Sequence, residues 1–125
     1  MAKRAAPWAG LAVQGVGHMV RRNLEEYEVM IGLVAKLEIQ DGKQEEFEAV
    51  AKDLMAKVKA NEPGCLTYQL YKEKGSETSY IFMEQYASGE ALAAHGQTDY
   101  FKAAQPGLGA CLAGAPKIEM YDIVE

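Results

Sequence analysis

The chain has 125 residues, enough for one domain, and is 49% hydrophobic and 25% charged, a balance that excludes a mainly disordered protein. A net charge of −5 with no basic block excludes a nucleic-acid phosphate backbone as a natural partner, and no apolar run reaches the roughly 18 residues of a membrane span. Two distant cysteines, Cys65 and Cys111, and two histidines, His18 and His95, form neither a CxxC pair nor a histidine-rich metal site, so a reduced, cytoplasmic setting is expected.

Charge divides the chain. Residues 1–29 carry a net +1 and residues 30–125 a net −6. The first 24 residues hold no acid, are rich in Ala, Gly and Val, and include Trp8, the only tryptophan. Three readings compete. A secretory signal would use Lys3 and Arg4 before an apolar stretch, but Gln14 and several glycines interrupt it and no small-residue cleavage site follows. An arm could pack on a partner subunit through Trp8. An appendage would lie outside the domain, with Met30 as a natural first residue. The appendage is the expected reading, because terminal tails of this composition order poorly. The domain is then expected over 30–125.

Val29–Ile39 reads as a strand. Val29, Ile31, Leu33, Ala35, Leu37 and Ile39 make one wholly apolar side, while the other turns from Met30 and Val34 to Lys36 and Glu38. Gln40-Asp41-Gly42 is a turn, with Asp41 as a helix cap and Gln44 as its capping-box partner. Residues 43–60 form a helix on the stripe Phe47, Val50, Ala51, Leu54 and Val58. Pro63-Gly64 follows its end. Cys65–Lys72 and Thr78–Tyr86 form a hairpin. Leu66, Tyr68 and Leu70 share one side of its first strand, and Tyr80, Phe82, Glu84 and Tyr86 one side of its second. Ser88 caps a short helix that His95 closes at Gly96. Thr98 caps another, Asp99–Gln105, which Pro106 and Gly107 break; Leu108–Gly114 is helix or loop. Lys117–Val124 is the last strand.

This order is that of the α+β, ferredoxin-like split βαβ sandwich, a four-stranded antiparallel sheet with helices on one face. Apolar groups on the other face imply that two such sheets meet in a homodimer.

No dinucleotide fingerprint, phosphate loop or Ser/His/Asp set is present. The carboxylates of the long helix alternate with lysines and form a solvated face. Each cysteine reads as a small buried hydrophobe. His95 has two readings: a cation at a helix C-terminus, or an acceptor of a substrate proton. Tyr68, Phe82, Tyr86, Tyr100 and Phe101 have two as well, core packing or the wall of an aromatic pocket.

Three segments carry a family resemblance. Glu90-Ala-Leu-Ala-Ala-His95-Gly-Gln-Thr98-Asp-Tyr-Phe101 resembles the His-x-x-Thr-x-x-Phe segment of the antibiotic biosynthesis monooxygenase domain family. Pro63-Gly64-Cys65-Leu66-Thr67-Tyr68 is similar to the start of that family's second strand, and Glu84-Gln85-Tyr86-Ala87-Ser88 to the end of its third. The resemblance covers about residues 30–125. It implies a dimeric α/β-barrel of ferredoxin-like protomers, with a cavity between sheet and helices. It also implies oxidation of a quinol, polyphenol or similar electron-rich aromatic by O2 with no metal or other cofactor, the substrate supplying the electrons. His95 would then be the base or polar anchor, with Tyr68, Phe82, Tyr86, Tyr100 and Phe101 lining the pocket. Many members place a second histidine just before the Phe, where this chain has Tyr100. The haem-degrading branch relies on a core Trp and a first-strand Asn, and neither stands in this domain. The alternatives are an isomerase of the same fold, with His95 moving a proton without O2, or a dimeric ligand-binding module without turnover.

Overall fold

A computed structural model describes residues 29–124. The extension expected over 1–29, with Trp8, lies outside the described residues except for Val29. The elements are β1 (Ile31–Glu38), α1 (Gln44–Asn61), β2 (Cys65–Lys72), β3 (Ser79–Tyr86), α2 (Gly89–Gln97), α3 (Asp99–Cys111) and β4 (Lys117–Asp122). The strands form one antiparallel sheet in the order β2-β3-β1-β4. That is the expected ferredoxin-like α+β arrangement, with the second crossover made of two helices. No helix among the described residues is long and apolar enough to cross a membrane.

The core follows from two periodicities. Strand alternation turns Ile31, Leu33, Ala35 and Leu37 of β1, and Tyr80, Phe82 and Tyr86 of β3, to one face of the sheet. Helical spacing puts Phe47, Ala51, Leu54 and Val58 of α1 on the stripe that covers it. Each large side chain buried there is worth about 1.5–3 kcal/mol relative to exposure, which is what docks the helices on the sheet.

Three local expectations are corrected. Asp41 does not cap α1; the cap position is Lys43, with no side-chain bond, and Gln44 Oε1 accepts from the Gly42 N–H at 2.7 Å. Leu66 does not share a side with Tyr68. The register slips between Cys65 and Thr67, so Leu66 is an extra residue in β2 and stands 51% exposed. Pro106 does not end its helix; α3 runs through it to Cys111. A helix-interior proline costs about 3 kcal/mol. Beyond it α3 buries Leu108 and Cys111, and Gly107 lies close enough to Val50 of α1 that a Cβ there would sit 3.4 Å from it, so helix packing offsets the penalty. Ser88 and Thr98 cap α2 and α3 as expected, accepting from the Ala91 and Phe101 N–H groups at 3.1 and 3.2 Å.

Candidate active site

A cavity opens between the sheet and the helices α2 and α3. Its walls are apolar: Leu33, Ala35 and Leu37 from β1, Tyr68 and Phe82 from the hairpin, and Leu92, Phe101 and Leu108 from the helices. Its empty space, open solvent at the mouth included, is about 460 Å³. Two strongly polar side chains reach this lining, His95 and Glu84. They are also the two buried polar residues of the described chain, 4% and 8% exposed.

The position of His95 is set by the caps on either side of it. Ser88 starts α2 and Thr98 ends it, where the Thr98 N–H and Oγ1 both donate to the His95 carbonyl, at 3.3 and 2.9 Å. The imidazole then lies among three aromatic rings, with centroid distances of 4.6 Å to Phe101, 5.0 Å to Tyr68 and 5.5 Å to Tyr86. One ring nitrogen is committed: His95 Nδ1 lies 3.0 and 3.1 Å from the two carboxyl oxygens of Glu62. With Glu62 as acceptor, Nδ1 is the donor and Nε2 is the acceptor of the neutral ring. No partner stands at Nε2 among the described residues. The Tyr100 hydroxyl donates to the same Glu62 carboxyl, so Glu62 is held from two sides.

Glu62 occupies its place through a close approach. The turn after α1 presses on α2, and a Cβ added at Gly64 would come 2.9 Å from the Ala91 Cβ. Gly64→Ala is therefore expected to push the Glu62 turn and the His95 helix apart, at a cost of about 1–3 kcal/mol. A thermal melt measures it, and an unchanged melting temperature contradicts this packing.

Glu84 sits mid-sheet, opposite Leu33 of β1 and Tyr68 of β2. Its Oε1 accepts from the Tyr86 hydroxyl at 2.6 Å. Burial, the largest influence, pushes its carboxyl up to about 7, while the Tyr86 bond and nearby His95 pull the other way. Burial also pushes the Tyr68 and Tyr86 phenols well up, so both stay protonated donors at neutral pH. The Cys65 thiol is pushed up to about 12, which makes it a poor nucleophile. No cluster of three or more His, Cys, Asp or Glu side chains among the described residues is placed to hold a metal ion.

Of the side chains singled out in the sequence, the cavity lining brings together His95, Tyr68, Phe82 and Phe101. Tyr86 and Tyr100 are not in it; each instead bonds a carboxyl, Glu84 and Glu62 respectively. Both carboxyls were missed as site residues. Glu84 carried a signal, being the lone acid on the aromatic side of its strand. Glu62 carried none beyond its place beside a helix stop.

The antibiotic biosynthesis monooxygenase family model matches residues 30–107, from the start of the sheet into α3. A solved Caulobacter crescentus structure, described as a "putative antibiotic biosynthesis monooxygenase", is 56% identical, covers 79% of this chain and 93% of its own, and superposes with a TM-score of 0.76. A conserved protein from Methanosarcina mazei Go1 is 28% identical over 77% of this chain and 94% of its own, with a TM-score of 0.71. Among curated proteins, the uncharacterized Synechocystis protein sll1783 is 30% identical over 95 residues, 76% of this chain; the match spans 64% of its own length. The Bacillus subtilis "putative monooxygenase YcnE" is 30% identical over 73 residues, 58% of this chain and 76% of its own. By the extent of the family match and the shared fold, this chain belongs to the antibiotic biosynthesis monooxygenase family.

Proposed function

We propose that the protein is a cofactor-independent monooxygenase that oxidises a quinol, polyphenol or similar electron-rich aromatic with O2. The observation that carries this reading is the His95–Glu62 pair on an aromatic-walled cavity, with Nδ1 engaged and Nε2 left for a ligand. His95 takes the proton of a ring hydroxyl at Nε2, and Glu62, held by Tyr100, orients the ring and stabilises the cation that forms. The phenolate passes one electron to O2, and the two radicals join in a C–O bond. The peroxide anion takes back the proton held by His95, and the resulting hydroperoxide loses water: the O–O bond breaks, the carbon's own proton leaves with the departing hydroxide, and a carbonyl forms. One oxygen atom stays in the product and the other becomes water. The apolar walls keep bulk water from the anion.

A panel of quinols and anthrones in an oxygen electrode tests the reading. Uptake of O2 that depends on the protein supports it. Turnover that continues unchanged under nitrogen replaces it with isomerisation, and binding without turnover replaces it with a ligand-binding module. A reducing, cytoplasmic setting belongs to the same proposal, and both Cys65 and Cys111 are free thiols.

A homodimer is part of it too. The sheet face away from the helices carries Tyr71, Met83 and Tyr121, each about half exposed, with Val34 and Ile81 half-buried among them. A second copy of this face would cover them. Met83→Glu places a charge beside Val34 in the middle of the patch, and is expected to convert the dimer to a monomer in light scattering. A wild-type monomer, or a variant of unchanged mass, contradicts the dimer.

A further inference from the structure

The proposed reaction uses His95 and leaves the second polar group of the cavity without a task. A carboxyl set among apolar walls is costly to desolvate, so its retention there calls for a role. Glu84 Oε1 is occupied by the Tyr86 hydroxyl, while Oε2 makes no hydrogen bond among the described residues and is not sealed off in the way that Gln105 Oε1 is, which leaves it open to a ligand. The same side chain lines the cavity.

We propose that Glu84 is a second ligand-binding group, whose protonated carboxyl donates a hydrogen bond to a second oxygen on the substrate. The site would then select rings bearing two oxygens over rings bearing one. This rests on the reading of the cavity as a site for oxygenated aromatics.

The surroundings of Glu84 are consistent with a protonated donor. Leu33 flanks it on β1 and Tyr68 on β2, and the phenol of Tyr86 bonds it on its own strand. Three further titratable groups interact with it: Cys65 on β2, His95 on α2 and Glu62 in the turn after α1. Apart from His95 these are neutral or acidic groups, and no lysine or arginine lies among them to hold the carboxyl ionised. A neutral acid is also the form that helps His95, because it stabilises the negative charge spreading over the ring as the hydroxyl is deprotonated. An ionised Glu84 would repel that charge.

The test is anaerobic binding, which needs no turnover. Hydroquinone and 4-methylphenol have nearly the same shape, and one replaces a hydroxyl by a methyl. The wild type at pH 6 is expected to bind hydroquinone at least tenfold more tightly, and the preference is expected to shrink at least threefold by pH 8 as Glu84 ionises. Glu84→Gln keeps a fixed N–H donor, so its preference is expected to persist equally at both pH values. Glu84→Leu is expected to lose it.

Equal affinity for the two rings at pH 6, no binding of either, a preference that survives in Glu84→Leu, or one that does not fall by pH 8 would each overturn the proposal. If Glu84→Leu does not fold, Glu84→Gln decides: a flat pH profile supports the assignment and a wild-type profile overturns it. Failure of O2 uptake with the ring preference intact would instead remove the monooxygenase reading and leave this one standing.

Discussion

Replacing His95 by alanine is expected to lower O2-dependent turnover by about 10²–10⁴-fold, the usual contribution of a positioned general base. The effect is expected mainly in kcat, since the base acts on the proton as the anion forms and the walls that hold the ring remain. Restoring a proton acceptor in solution distinguishes chemistry from structure. Added imidazole is expected to recover part of the lost rate, because removing the side chain leaves space beside Phe101, Tyr68 and Tyr86. A His95→Ala variant of wild-type rate would remove His95 from the mechanism. Glu62→Gln keeps the shape of the partner and removes its charge, so an intermediate loss is expected from the same assay.

The second large effect lies in stability. Glu84 has a folded-state value of about 7 against 4.5 for the free side chain. Between those values the folded protein holds a proton that the unfolded chain has released. The stability linked to this group is thus fully present below about 4.5 and is lost as pH rises through about 7. The loss is on the order of 3 kcal/mol, from about 1.4 kcal/mol per unit. Glu38, Glu48 and Glu119 are lowered by hydrogen bonds from Ser79, Tyr80 and Tyr121, so their contributions are lost only below the 4.5 of free glutamate. Denaturant unfolding at pH 5 and pH 8, compared between the wild type and Glu84→Gln, therefore isolates Glu84. The wild type is expected to be about 2–3 kcal/mol less stable at pH 8 than at pH 5, and Glu84→Gln to show little difference. Equal pH dependence in both proteins contradicts the burial of an ionisable carboxyl.

The sequence carried most of the fold because its periodicities were unbroken. β1 alternates over its whole length and α1 repeats its stripe from Phe47 to Val58, so packing had only to agree with local preference. Ser88 and Thr98 were legible as caps because a hydroxyl before a helix has one obvious bond to make. Reading failed where tertiary packing overrode a local rule. Pro106 is a helix breaker by propensity, yet burial of Leu108 and Cys111 carries α3 past it. Leu66 matched the alternation of β2, and nothing local marked the bulge that displaces it.

The candidate site was half legible. His95 and three aromatic walls could be found from a histidine at a helix end followed by Thr-x-x-Phe. The two carboxyls could not, because what marks them is the groups they face. Glu62 meets His95 across 33 residues, and Glu84 draws its character from burial rather than from neighbours in sequence. Tyr86 and Tyr100 looked like wall residues for the same reason: only the folded chain shows that their hydroxyls are committed to those carboxyls.

The destination of the two oxygen atoms separates oxygen insertion from every other use of this cavity. Turnover of a reactive quinol or anthrone under ¹⁸O2, with the product weighed by mass spectrometry in the first turnovers, is predicted to give a product carrying one labelled atom and water carrying the other. A product without label, or one that forms at the same rate under nitrogen, would contradict the assignment of this cavity to oxygen insertion.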